Sequence, residues 1–250
     1  MSKESKISNS EEGEMSEKGS VGSVWSVGLC VWLGVSGGML FSGDAEGVET
    51  GELKQEGRLL CPVQVNGDYF EKDGERFVVK SVSYNPYYPG ETLADTPRKA
   101  DMRQDMEWIR DAHVNTLLLY RLGSNKLYEQ ALEAGLYLMQ GISVPTDTED
   151  YQDESFRKRV KRSIRWHVDQ LNRDLKPGNR AVEQRIAERV ICYWIGGEFP
   201  EETVCRTDAR HPEISSYAGR FVSAPEGSTA SECFVAEICD YLMSYEQDTY

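Results

Sequence analysis

An α/β fold built on a parallel sheet, the opening part of a (β/α)8-type TIM barrel, is the architecture the sequence predicts. Three observations lead there. Apolar runs of strand length alternate with amphipathic helical stretches four times between residues 77 and 195, the pattern of a parallel sheet with helices outside it. The main strand runs, such as Thr116-Leu117-Leu118-Leu119-Tyr120, are apolar throughout, as for strands covered on both faces. The turn after the first strand, Tyr84-Asn85-Pro86-Tyr87-Tyr88-Pro89-Gly90, has no G-x-G-x-x-G to cradle a pyrophosphate, which disfavours an open doubly wound sheet.

The elements follow in order. Residues 1–20 are polar, with five Glu against three Lys, and are expected to form a disordered tail. Residues 21–43 carry no charge and are long enough to cross a bilayer as a helix. They are read as a signal peptide or membrane anchor, although the preceding segment lacks the usual net positive charge. Residues 44–57 are rich in Gly and Glu and read as a linker. Asn66-Gly67 and Asp73-Gly74 between apolar runs are hairpin signals, so a small β-ribbon is expected ahead of a first core strand at 77–84.

Helix is expected at 101–112, where Met102, Met106 and Ile109 fall on one face, and at 125–134, closed by Gly135. Strands are expected at 115–122 and 136–144, and a long helix at 155–175 carries Phe156, Val160, Ile164, Val168, Leu171 and Leu175 on one side. Pro177-Gly178 breaks that helix, a short helix at 181–188 leads to a strand at 190–195, and a final helix spans 232–246. The barrel-like region is therefore 58–250, about four to five β/α units. About 175 residues follow Arg76, against roughly 250 for an eight-fold barrel, so the barrel is expected to be truncated.

Composition narrows the function classes. Apolar content of 39% and a formal charge of −14 describe a globular, acidic protein, and the charge argues against nucleic acid as a partner, which needs Lys and Arg against phosphates. The six cysteines, at 30, 61, 192, 205, 233 and 239, include no C-x-x-C. With only three scattered histidines, a metal site has little support. In an exported protein Cys61, Cys205, Cys233 and Cys239 could form disulfides. The basic run Arg157, Lys158, Arg159, Lys161, Arg162 and Arg165 reads as the solvated outer face of its helix, with a docking face for acidic partners or lipid headgroups as the alternative.

In barrels the working residues sit at the carboxyl ends of the strands. That rule selects Tyr84, Asn85, Tyr87 and Tyr88 after the first strand, Tyr120 and Arg121 after the second, Gln140 and Ser143 at the third, and Trp194, Gly197 and Glu198 after the fourth. Glu198 stands out, behind Tyr193 and Trp194 at the end of an apolar strand. Scarce water there would favour the protonated form that a general acid needs. The plain alternative is a surface Glu opening an acidic loop with Glu201 and Glu202, or a carboxylate cluster for a divalent cation.

The segment Trp194-Ile195-Gly196-Gly197-Glu198 resembles the strand-four signature of the large retaining glycosidase clan, Trp-x-x-Gly-Asn-Glu, whose Glu is the acid/base. The stretch Phe77-Val78-Val79-Lys80-Ser81-Val82-Ser83-Tyr84 resembles the first strand of the same barrels. The region 103–120, with Asp105 and then Asn115-Thr116, resembles their first helix and second strand. Family 2 glycoside hydrolase barrels and fungal β-1,3-glucanosyltransferases are the nearest likenesses, over residues 76–202. The resemblance implies a glycoside hydrolase or transglycosylase acting on a β-linked polysaccharide by a retaining mechanism, with no cofactor. Glu198 would be the acid/base, and Tyr84, Asn85, Tyr87, Arg121, Trp194 and Gly197 would line the sugar site. Two departures count against activity. Gly197 stands where the family has Asn, and the strand that would bear the nucleophilic Glu lies beyond the four countable strands, so the chain alone is expected to be inactive. The alternative is a carbohydrate-binding or membrane-tethered accessory domain without catalysis. An extracellular, cell-surface or membrane-anchored location goes with either.

Overall fold

The computed structural model describes residues 29–31, 61–85, 102–175 and 184–250. The expected tail at 1–20, the linker at 44–57, Tyr87, Tyr88 and the Pro177-Gly178 break lie outside the described residues, as does most of 21–43.

In chain order the strands are β1 (Leu29–Val31), β2 (Val63–Asn66), β3 (Tyr69–Lys72), β4 (Glu75–Phe77), β5 (Ser81–Ser83), β6 (Thr116–Leu119), β7 (Tyr137–Ser143), β8 (Asp174–Leu175), β9 (Gln184–Arg185), β10 (Val190–Gly196), β11 (Tyr217–Ala218) and β12 (Ser223–Ala224). The helices are α1 (Met102–Asp111), α2 (Asn125–Glu133), α3 (Glu154–Leu171), α4 (Glu201–Arg210) and α5 (Ala230–Thr249). The main sheet has the order β1-β10-β7-β6-β5. Its four strands β5, β6, β7 and β10 are mutually parallel and adjacent in sequence order. Consecutive right-handed crossovers that keep stepping in one direction put their helices on one face. The described residues thus form a mixed α/β structure with a parallel sheet, and closure into a barrel is not seen among them.

Sequence periodicity explains which face is which. Leu117 and Leu119 of β6, Leu138 and Ile142 of β7, and Tyr193 and Ile195 of β10 join the buried stripes of the helices in one core. On α3, Val160, Ile164, Val168 and Leu171 are all 0% exposed, and burying such side chains stabilises the fold by about 1.5–3 kcal/mol each. Helix ends match their signals. Ser124 caps α2 and Asp153 caps α3 through the amides of Leu127 and Phe156, Gly135 stops the chain after α2 at φ +74°, and Thr229 with Glu232 forms a capping box on α5.

Among the described residues the opposite face is covered at one end. The antiparallel ribbon β2-β3-β4 packs Val63, Phe70 and Phe77 against Tyr137, Met139, Ile191 and Cys192, close to where β7 and β10 begin. No described element covers the carboxyl ends of the strands on that face.

Several expectations are corrected. The first core strand, expected at 77–84, is divided. Phe77 closes the ribbon, and β5 is a three-residue edge strand whose residues are exposed. Its Ser-Val-Ser composition offers little to bury, so the edge position is cheap. The long helix ends at Leu171, where the Asn172 side chain bonds back to the carbonyl of Val168. In place of the described part of the short helix at 181–188, β9 leads into a 3-10 turn at Ile186–Arg189. The acidic stretch after Glu198 is not a loop but α4. The β11–β12 hairpin was not anticipated. Leu29–Val31 is extended and pairs antiparallel with β10, while the rest of 21–43 lies outside the described residues. No helix among the described residues is long and apolar enough to cross a membrane. Cys61, Cys192, Cys205, Cys233 and Cys239 are free thiols, and burial pushes the Cys239 thiol well above its usual range.

The basic run on α3 is largely spoken for. Arg157 and Lys161 both reach the buried Glu237 carboxylate of α5 at 2.6 Å, Arg159 pairs with Asp147, and Lys158 with Glu154. Most of these positive charges therefore answer the protein's own acids.

Candidate active site at the carboxyl end of the sheet

The strands deliver the selected residues to one end of the sheet but not to one cluster. Trp194 pairs in register with Gly141 of β7. On the other side of Gly141, the backbone leaving β6 passes so closely that an added Cβ would lie 2.3 Å from the Tyr120 carbonyl oxygen. With no side chain between them, the Tyr120 and Trp194 rings meet edge to face, centroids 6.5 Å apart, a favoured aromatic geometry. Tyr120 is 48% exposed, and Val82 is also exposed. This pair, on the uncovered part of the sheet, is a shelf of the kind a sugar ring can stack on.

Glu198 follows at the end of β10 and is exposed. The expectation that it sits in dry surroundings is not met. The reason is local: Gly196 at φ +90° and Gly197 at φ +133° turn the chain sharply, and Phe199, not Glu198, folds inward to pack on Tyr151 and Phe234. Among the described residues the Glu198 carboxylate has no hydrogen bond or ion pair.

Tyr84 is turned to the helix side. Its amide continues the ladder to Leu118, its hydroxyl donates to Asp105 Oδ2 at 2.7 Å, and its ring packs on the main core. That holds α1 against β5 and removes Tyr84 from the open face. Asn85 and Arg121 are exposed at the strand ends. Gln140 is fully buried. It accepts from the Tyr128 hydroxyl and donates to the carbonyls of Arg121 and Gly141, so it ties the β6 exit to β7 and α2. Burial pushes the Tyr128 hydroxyl far above its ordinary pKa. Ser143 is exposed at the end of β7.

A second feature escaped the sequence reading. The loop after β7 and the end of α4 enclose an open cavity of about 400 Å³, lined by Thr148, Glu149, Asp150, Gln152, Asp153, Arg210 and His211. His211 Nε2 lies 2.9 Å from Asp150 Oδ2, and Arg210 reaches the same carboxylate at 3.7 Å. The Asp150 hydrogen bond raises the His211 pKa above its ordinary value, against a smaller opposing effect of burial. The acidic run Asp147, Glu149, Asp150 after the third strand was the available signal, but its histidine partner lies 61 residues away. Among the described residues no group of three or more His, Cys, Asp or Glu is placed to hold a metal ion.

No family model matches the chain. The chain is similar to the 1,3-beta-glucanosyltransferase gel1 of Aspergillus fumigatus, at 29% identity over 91 residues in both strain Af293 and strain CEA10. The match covers 34% of this chain and 20% of the relative. The chain therefore has a partial, glycoside-hydrolase-like relationship to a glucanosyltransferase, over a fifth of that protein's length.

Proposed function

We propose that this chain carries part of a retaining glycoside hydrolase or transglycosylase barrel that acts on a β-linked polysaccharide. The observation that carries the reading is the end of β10. A carboxylate follows four residues after a tryptophan on the open face of the sheet, at the carboxyl end, where barrel enzymes do their chemistry. The partial likeness to a glucanosyltransferase supports the same class. In this reading Trp194 and Tyr120 stack on a sugar ring, Tyr87 offers a further stacking face, and Asn85 and Arg121 bond the sugar hydroxyls. Gly197 leaves room beside the scissile bond, and Glu198 protonates the departing oxygen and then activates water or an acceptor sugar. Tyr84 is left as a scaffold residue. The polymeric substrate and the uncharged segment at 21–43 support a place outside the cytosol or at the cell surface.

A retaining mechanism needs a second carboxyl group about 5 Å from the first, and the strand expected to bear it is not among the described elements. Sugar binding at the Tyr120–Trp194 pair is the part of the reading that the first test measures. The test is a titration of the 250-residue chain with laminari-oligosaccharides, read by tryptophan fluorescence. Saturable quenching is expected, with affinity weakened about five-fold in Trp194→Ala, since stacking on an aromatic ring is worth on the order of 1 kcal/mol. In a form supplying the nucleophile, Glu198→Gln should abolish hydrolysis of unactivated substrates while sparing glycosylation from aryl glycosides with good leaving groups, and azide should partly rescue deglycosylation. No binding, or equal losses on both substrate types without rescue, would refute the reading. The exposure of Glu198 and the glycine before it favour one rival, a carbohydrate-binding domain without catalysis, which predicts binding but no turnover in any form.

A further inference from the structure

Glu198 is separated from its strand by two glycines in the left-handed range, Gly196 at φ +90° and Gly197 at φ +133°. Such a pair is conformationally permissive, so β10 alone does not dictate where Glu198 points. The chain beyond it is held firmly. Phe199 folds back over Gly196, where an added Cβ would lie 2.7 Å from its ring, and packs edge to face on Tyr151 with centroids 5.5 Å apart. The Thr203 hydroxyl donates to the Thr148 carbonyl at 3.2 Å, and the Tyr151 amide donates to Thr207 Oγ1 at 3.0 Å. At the far end of α4, His211 meets Asp150 at 2.9 Å, and Arg210 reaches Asp150 at 3.7 Å and the Glu149 carbonyl at 3.4 Å. Both ends of α4 are thus docked on the loop that rises from β7, the strand beside β10.

We propose that Asp150, Arg210 and His211 form a pH-sensitive clamp that positions Glu198 by docking α4 on the loop after β7. The proposal rests on the reading of Glu198 as the working carboxyl. The charged groups around the imidazole are Asp150 from the loop, Glu213 at 3.5 Å beyond the helix, and Arg210 on α4, while Arg206 and Arg210 face Glu149. His211 also caps the carboxyl end of α4, where the helix dipole favours a cation. Because the Asp150 bond raises the folded pKa of His211, the charged clamp is complete at low pH and is lost as pH rises through that raised value. A neutral Nε2–H hydrogen bond and the longer Arg210 contact then remain as weaker ties. The carboxyl end of α4 loosens on the loop, the helix tilts about its ties at Thr203 and Thr207, and the twin-glycine hinge passes that tilt to Glu198.

The test is a pH titration of the full 250-residue chain by proton–nitrogen NMR between about pH 5.5 and 8.5, a window that brackets the histidine range. The His211 ring is expected to titrate above the ordinary histidine value of about 6.5, with the amides of Gly196, Gly197 and Glu198 moving at the same midpoint. Asp150→Asn should lower that midpoint, and His211→Gln should leave the three amides flat across the window. Movement confined to the amides of 148–150, with 196–198 unresponsive, would overturn the clamp as a positioning device and leave a local ion pair. Should the variants fail to fold, the titration of the unaltered chain decides alone. Absence of sugar binding with the co-titration intact would remove the functional reading and leave the clamp standing.

Discussion

Replacing Gly141 by alanine puts a methyl group where backbone already runs. The new Cβ would lie 2.3 Å from the Tyr120 carbonyl oxygen, 2.5 Å from its carbon and 2.7 Å from the Leu119 oxygen. Ordinary contacts begin near 3.4 Å, so β6 and β7 must part by about 1 Å, and no flexible side chain is there to give way. Overpacking of this kind costs about 1–3 kcal/mol. Lengthening one or two ladder hydrogen bonds adds about 1 kcal/mol each, for a total of about 2–5 kcal/mol. The Tyr120–Trp194 contact that spans Gly141 would be lost with it. Urea unfolding measures the cost. With a slope of about 2 kcal/mol per molar, the midpoint should fall by about 1–2.5 M, and the near-ultraviolet circular dichroism of Trp194 should weaken before unfolding begins. A midpoint within about 0.2 M of the unaltered protein, with the aromatic signal intact, would refute the close approach of the two strands.

Two further outcomes follow from buried ionisable groups. Glu237→Ala leaves Arg157 and Lys161 facing each other without their shared carboxylate. The expected loss is about 2–3 kcal/mol, below the 3–5 kcal/mol of a wholly buried pair because both cations are about a third exposed and can rehydrate. Burial alone would raise the Glu237 pKa, but its bonds to Arg157 and Lys161 outweigh that and lower it, so its contribution should be present above the ordinary carboxylate range and vanish as pH falls through the lowered value. Thermal melts of the two proteins from neutral to acid pH should therefore converge, and a constant gap would count against the assignment. His167 is held largely neutral by burial, which lowers its pKa despite a 2.8 Å hydrogen bond to the Ser163 carbonyl. An unfolded histidine takes up its proton near pH 6.5, so folding stability should decline as pH drops below that value. His167→Gln should flatten this part of the pH dependence in the same melts, and an unchanged slope would show that His167 titrates freely.

The Glu198 turn illustrates what was legible and what was not. Its place at the carboxyl end of a buried strand was readable from the apolar run and the Gly-Gly-Glu that ends it. Its exposure was not, because that depends on Phe199 finding Tyr151 and Phe234, residues brought together only by the packing of α3, α4 and α5. That Tyr84 turns to the helix side was not legible for a similar reason. Its hydroxyl partner, Asp105, is 21 residues away, and no local pattern says that a tyrosine at a strand end will turn to the helix side.

Local chemistry alone determined the alternation of strands and helices, the apolar stripes on α1, α2, α3 and α5, and the hairpins at Asn66-Gly67 and Asp73-Gly74. Each of these is set by side-chain periodicity or by a residue that tolerates a left-handed turn, within a few positions along the chain. Only tertiary structure decided that Tyr120 and Trp194 would meet across Gly141, that Glu237 would gather two cations from α3, and that His211 would close on Asp150. These pairings depend on strand register and helix docking, which are fixed by the whole core at once and leave no mark in any short stretch of sequence.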